Sequence, residues 1–531
     1  MIILGPGFGS LRLQDFLAMA TEGATIVLAP DTWQRIAQDH STVLESARGN
    51  EPVYGLNTGL GANLNCRIPF DEIPGFQIRI LRGRAVAVGS PLPEPVGRGV
   101  LLARILSASR GGSGISPALL GHIVAVYNAG LSPVIPETGS IGAGDLTQNA
   151  HFGLSILGEG ELWRSGSRID AGSALRDSGL CPPDLAAGDA MVLVNHSALT
   201  TVASGRAIDD FALCLAMARC SIVLSLEGFA ANQSVFDPDV NALLPAPGQL
   251  QASDWFRRAL DGADATPRRI QDPISFRGVA QVIGAGFYGL NHAEDVLAGA
   301  LNGVSDSPVV TPDGRFLSTP NFQSPVLALA LESLSLTLSM MATGAIQRMQ
   351  RLMAPATSGL PRFLSPDGGA SAGLVPLQKT AAALSSRIRH GAEPAIHDPS
   401  PVSENVEDMA PMTPLAAEKL SKQAESFKIL AGLEALVAAQ ALDLRQPVGM
   451  GRLTGSLHRA LRARIAALGA DRSLARDSGA AATVIEAAAR QVMRNDRADA
   501  SGAVRDPVAD SESTVGSVDF ARHSSVAWTA T

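Results

Sequence analysis

The 531-residue chain is long enough for more than one packed unit, and 46% apolar with 17% charged side chains is the balance of a globular protein. Aromatic residues supply only 4% while alanine, leucine and glycine abound, which favours packed helices over a β-sandwich. A net charge of -8 excludes nucleic acid as the main partner, because phosphate binding needs a basic face.

The opening stretch "MIILGPGFGS" has no basic segment leading into an apolar one and is soon broken by Gly and Pro, so no targeting signal is read there and a cytoplasmic protein is expected. Four cysteines (Cys66, Cys181, Cys214 and Cys220) lack CxxC spacing and read as buried thiols of a reducing compartment. Residues 1–204, rich in Gly and Pro, predict a mixed N-terminal domain of short helices, turns and loops. From 205 to 490 apolar residues recur at three- and four-residue spacing, which predicts a bundle of long helices, three of them over 206–232, 324–353 and 414–444. The most apolar run, 211–229, carries Arg219 and Glu227 and reads as a core helix, so no membrane span is expected. Residues 491–531 cannot bury much apolar surface and are expected to be a disordered tail.

Within this frame five motifs follow one another: "VYGLNTGLGANL" around Tyr54, "GSIGAGDL" from Gly139 to Leu146, "LVNHS" around Asn195, "QDPISFR" ending at Arg277, and "SGLPRFLSPDGG". As an ordered set over roughly residues 40 to 450 they resemble the histidine and aromatic amino-acid ammonia-lyases. The resemblance implies a mainly α ammonia-lyase fold and a homotetramer whose active sites are shared between subunits. It also implies a small-molecule substrate bearing a carboxylate. In that family an Ala-Ser-Gly loop cyclises and dehydrates to a methylidene-imidazolone, an electrophile that lets a tyrosine take a weakly acidic β-proton as ammonia leaves.

Against that pattern the loop has Ala143 followed directly by Gly144, without the intervening Ser that supplies the methylidene carbon. The loop therefore predicts no methylidene-imidazolone; no other cofactor is expected, and His390, His397 and Asp398 are too loosely placed to predict a metal site. Carried over residue by residue, the resemblance implies Tyr54 as general acid or base and Asn195 as a donor to a developing anion, with Ala143 and Gly144 at the reactive loop. It implies Arg277 as receptor for the substrate carboxylate, a task suited to its planar fork, with Asn321, Phe322 and Glu407 lining the substrate side. Arg84 and Arg387 stand where histidine ammonia-lyases place a His and a Glu, and would add positive charge near the pocket. Ile274 stands where the family has a second tyrosine. Asp145 is expected to cap the helix that follows the loop. The leading expectation is an enzyme on this scaffold that works without the electrophile, by Tyr acid–base chemistry on a carboxylate-bearing molecule through elimination, cyclisation or isomerisation. The alternatives are a conventional aromatic amino-acid or histidine ammonia-lyase, and a catalytically silent ligand-binding homologue.

Overall fold

The computed structural model describes residues 1–501 apart from 6, 7, 22, 265 and 398–400. It is 62% helix and 7% strand, the mainly α architecture expected. Strands occur as three short pairs, Ile2–Leu4 parallel to Ile26–Leu28, Val88–Pro91 antiparallel to Pro136–Thr138 and Val309–Val310 antiparallel to Phe316–Leu317, and as a three-stranded patch from Ser132–Pro133, Glu161–Arg164 and Ser167–Asp170.

The principal helices of the site and of the bundle around it are α1 (Ile73–Arg84), α2 (Leu146–Ile156), α3 (Asp189–Val194), α4 (Ala198–Phe229), α5 (Ile274–Arg277), α6 (Val279–Leu301), α7 (Pro325–Met353), α8 (Val375–Gly391), α9 (Thr413–Arg445) and α10 (Ala475–Ser501). Helix α4 is buried along nearly its whole length, and α9 is buried on every side from Phe427 to Leu442 except at Lys428 and Ile429. An apolar surface all round a helix leaves it no solvent face, so both become the axis on which the others pack. Three cross-links set their directions. Cys214 lies against Ala424, Ser225 donates to Glu434 at 2.8 Å, and Arg445 donates to Gly228 O at 2.8 Å, so α4 and α9 run parallel. Ser335 donates to Gln423 at 2.7 Å and Arg348 pairs with Glu434 at 2.6 Å, which makes α7 parallel to both. The N-terminal ends of three long helices therefore meet at one end of the bundle.

The sequence predicts α4, α7 and α9 in place but passes over α6. Its "VIGAGFYGL" segment carries glycines where neighbours come closest: a Cβ on Gly286 would fall 2.5 Å from Leu215 Cδ1 and one on Gly284 would fall 2.7 Å from the Gln249 nitrogen. Two of the four cysteines, Cys66 and Cys181, are exposed rather than buried. By length and composition α7 could cross a membrane, but 61% of its apolar window is buried within the protein. Helix α10 continues to Ser501, past the expected boundary at 491, and residues 502–531 of the expected tail lie outside the described residues.

Candidate functional site

The loop before α2 is held taut from several sides. Ser140 Oγ accepts the Gly142 N–H at 2.9 Å and donates to Asp145 at 2.5 Å. The Ile141 carbonyl accepts from Met412, and Ala143 pairs in a β-bridge with Gln323. Gly144 O accepts from the His196 N–H at 3.2 Å and from Asn149 Nδ2 at 3.1 Å. Gly142 (φ +82°) and Gly144 (φ +93°) occupy the left-handed region, and a Cβ on Gly144 would lie 2.5 Å from Asn195 Oδ1. Both positions therefore demand glycine. Asp145 departs from expectation: its side chain makes no cap on α2. It crosses instead to the start of α4, accepting from the Thr200 N–H at 2.9 Å and the Thr200 hydroxyl at 2.6 Å. Burial pushes its carboxyl pKa up, against those three donors.

The N-termini of α2, α4, α7 and α9 surround this loop. Thr200 is bonded to Asp145, Gln323 lies beside Ala143, and Thr413 N approaches Gly142, where an added Cβ would be 3.2 Å away; Ser324 and Thr413 join their hydroxyls at 3.1 Å. Each helix start carries partial positive charge from its unpaired N–H groups, so the loop sits where an anion is welcome.

Tyr54 reaches the same neighbourhood through its glycines. The backbone at Gly55 is pressed against Met191 of α3, where a Cβ would be 2.7 Å from the sulfur, and Met191 O accepts the Asn195 N–H at 2.8 Å. Tyr54 and Asn195 are thus set by one short helix. The Tyr54 hydroxyl accepts the Gly61 N–H at 2.9 Å. Above Gly61 lies the turn Val402–Glu407, where Glu407 accepts from Ser403 Oγ at 3.1 Å. Arg84, at the end of α1, is within electrostatic range of both Tyr54 and Glu407; burial nevertheless lowers its pKa overall.

Asn195 is buried and commits one N–H to Ser307 O at 2.9 Å, leaving one of its two donors without a partner among the described residues. Ser307 returns a backbone bond to Asn195 O at 3.3 Å, and its hydroxyl accepts from Thr319 at 3.1 Å. That contact brings in the exposed Asn321, which donates to Val304 O at 3.3 Å, and the half-buried Phe322. Behind Ser307, Asp306 forms a buried two-pronged pair with Arg104 at 2.7 and 3.0 Å. Sequence reasoning missed Asn149, Gln323 and this pair; a lone arginine within "VLLARILSAS" was the available signal.

Two predicted residues do not join the others within one chain. Arg277 ends α5, donates to Asp272 O at 3.0 Å, and follows Phe276, which stacks at 4.0 Å on Phe229, the last residue of α4. Asn195 precedes the first residue of α4, and 32 helical residues span about 48 Å. Arg387 is exposed on α8, next to Ile388, whose carbonyl takes Gln423 Nε2 at 2.7 Å; that level is roughly 15 Å along α9 from Thr413.

His196, His122 and His151 have their pKa values lowered, each mainly by burial. His196 Nδ1 accepts the Ala198 N–H at 3.2 Å while Nε2 faces Leu193 O, so the ring is held neutral as a cap on α4. Unfolded histidine binds its proton near the ordinary 6.5, whereas the folded rings resist until lower pH. Their stability contribution is therefore intact above about pH 6.5 and is lost as pH falls from there through the depressed folded values. Chemical denaturation at pH 7, 6 and 5 should show falling stability. His196→Asn, which keeps an acceptor for Ala198, should flatten that fall by up to ~1.4 kcal/mol per pH unit. An unchanged slope would contradict the assignment.

The sequence model of the aromatic amino acid lyases matches residues 11–463. The chain belongs to the aromatic amino acid lyase family. Among curated relatives of this lyase, the histidine ammonia-lyase of Symbiobacterium thermophilum is 36% identical over 481 residues, covering 90% of this chain and 95% of that one. The histidine ammonia-lyase of an Anaeromyxobacter species is 34% identical over 493 residues, covering 90% and 97%. Among solved structures, an ergothioneine-degrading ergothionase from Treponema denticola, in complex with desmethyl-ergothioneine sulfonic acid, has a TM-score of 0.88 at 28% identity, covering 92% of this chain and 99% of that one. The histidine ammonia-lyase of Trypanosoma cruzi has a TM-score of 0.83 at 28% identity, covering 92% and 94%.

These relatives correct two expectations. An enzyme working without the electrophile was the leading reading, but histidine ammonia-lyases matched along nine-tenths of the chain support the conventional lyase, which had been the alternative. The expectation of no cofactor falls with it, since that family depends on the methylidene-imidazolone. The physical reason is one of scale: a one-residue gap alters one loop, whereas the likeness runs through the whole helical scaffold. Because Ala143 adjoins Gly144, the chain's own residues do not show a source for the methylidene carbon.

Proposed function

We propose that this lyase is a carbon–nitrogen lyase of the histidine ammonia-lyase type, acting in the cytoplasm as a homotetramer on a carboxylate-bearing amino acid. The observation that carries the reading is the 36% identity to a histidine ammonia-lyase over nine-tenths of the chain. Tyr54 takes the β-proton, the free Asn195 N–H and the converging helix starts stabilise negative charge as it develops, and Asn321 and Phe322 bound the substrate. The substrate carboxylate is received by Arg277 of another copy of the chain, because about 48 Å of α4 separates this chain's own Arg277 from Tyr54's end of the bundle. An exposed apolar stripe on α7 (Val326, Leu329, Leu336 and Met340) suits the contact between copies.

The test is the purified chain with L-histidine, followed by urocanate absorbance and ammonia release. Steady urocanate production is expected; none, from protein that is folded and tetrameric, would overturn the reading. A second reading, supported by the TM-score of 0.88 to ergothionase, is the same elimination performed on ergothioneine. Release of trimethylamine from ergothioneine, with histidine untouched, would select it.

A further inference from the structure

Arg277 is carried by α5, a single turn of four residues, and one turn does not hold its own direction. Three anchors hold it. Phe276 stacks on Phe229 at the end of α4. The buried Asp272 carboxylate takes the Asn232 N–H at 2.6 Å. The third anchor comes from the middle of the bundle, where Arg348 Nη1 of α7 donates to Ser275 O at 3.1 Å.

Arg348 is itself fixed. Its Nε and Nη2 pair with both oxygens of Glu434 on α9 at 2.6 and 3.0 Å, and Ser225 Oγ of α4 donates to the same carboxylate at 2.8 Å. The paired side chains are 5% and 1% exposed. A planar guanidinium clasped along one edge has its remaining nitrogen aimed in a set direction. Three long helices therefore act through one ion pair on a carbonyl two residues before Arg277. Gly344 makes room for the reach. It lies in the interior of α7, where alanine would favour the helix, and the first atom an added Cβ would meet there is Arg348 Nη1, at 3.0 Å. Arg277 gives its Nε to Asp272 O, and its terminal nitrogens lie 3.2 and 3.3 Å from the side-chain amide of the exposed Gln271. Among the described residues no carboxylate occupies that fork.

We infer that Arg348 is a positioning residue: clasped by Glu434 and given space by Gly344, it fixes the α5 backbone and so sets where the Arg277 fork stands for a substrate carboxylate. This rests on the role of Arg277 proposed above. The site of one copy then depends on the bundle core of the copy that lends it the arginine.

Arg348→Met alone strands the buried Glu434 carboxylate and can fail by unfolding. Two variants of the full chain avoid this. Gly344→Ala keeps the ion pair and pushes Nη1 away from Ser275 O. Arg348→Met with Glu434→Leu removes charge and counter-charge together. Hydrogen exchange over residues 271–278 should quicken by roughly fivefold or more in both variants, with exchange along α4 unchanged. KM for L-histidine should rise about five- to twentyfold while kcat stays within about threefold, the signature of a contact made alike in the ground and transition states. In an Arg277→Met background, Gly344→Ala should change kcat/KM no further. Unchanged exchange over 271–278, an unchanged KM, a fall in kcat at constant KM, or an effect that persists without Arg277 would each overturn the inference. Quickened exchange over 271–278 in a chain that does not turn over histidine would count against the lyase reading and leave the anchoring by Arg348 standing.

Discussion

Tyr54→Phe should lower kcat for amine elimination by about 10²–10⁴-fold while KM changes only a few-fold, the range lost when a positioned general acid or base is removed. The substitution deletes one oxygen and keeps the ring that packs against the main core. The Gly61 N–H loses its acceptor at 2.9 Å, but Gly61 lies in a surface loop where water can replace it, so the folded state should lose no more than about 1 kcal/mol. Rate and stability then separate cleanly: a melting temperature near wild type with collapsed kcat assigns the proton transfer to Tyr54. A kcat within threefold of wild type would remove Tyr54 from the chemistry and move the role to another group.

Asp306→Asn should destabilise the chain by about 3–5 kcal/mol, because it leaves the Arg104 guanidinium in the interior without its counter-charge. Both side chains of the pair are 1% exposed, so no water replaces the lost carboxylate. The damage should also reach the site, since the next residue, Ser307, holds Asn195 through two bonds. Denaturant unfolding gives the stability and kcat gives the second effect. Arg104→Met combined with Asp306→Leu should recover much of the stability, since an apolar replacement leaves no orphaned charge. A loss under 1 kcal/mol for Asp306→Asn would show that the pair is not held as described.

The long helices were legible because α4, α7 and α9 announce themselves by apolar residues at helical spacing. The loop residues Tyr54, Ala143, Gly144 and Asn195 were legible as motifs, and the fold brings all four to one end of the bundle. What escaped was set by tertiary structure. Asp145 had a helix beginning next to it, and only the folded chain shows the start of α4 as the better partner for its carboxylate. The glycines of α6 have no evident role until Leu215 and Gln249 are seen against them. Arg277 and Tyr54 belong to one constellation in sequence terms, yet 32 residues of α4 hold them apart within the chain. The one-residue gap between Ala143 and Gly144 is local, whereas the likeness to histidine ammonia-lyases runs along nine-tenths of the chain.

Because four helices begin around one loop, much of the field there originates in peptide groups. Each such terminus is equivalent to roughly half a positive charge. Peptide dipoles have no pKa and cannot be exchanged by substitution. Acidification or a changed rim residue can retune which molecule is preferred, but the attraction for negatively charged groups persists as long as the bundle stays folded. New selectivity on this scaffold can therefore arise by swapping rim side chains without rebuilding the electrostatics beneath them.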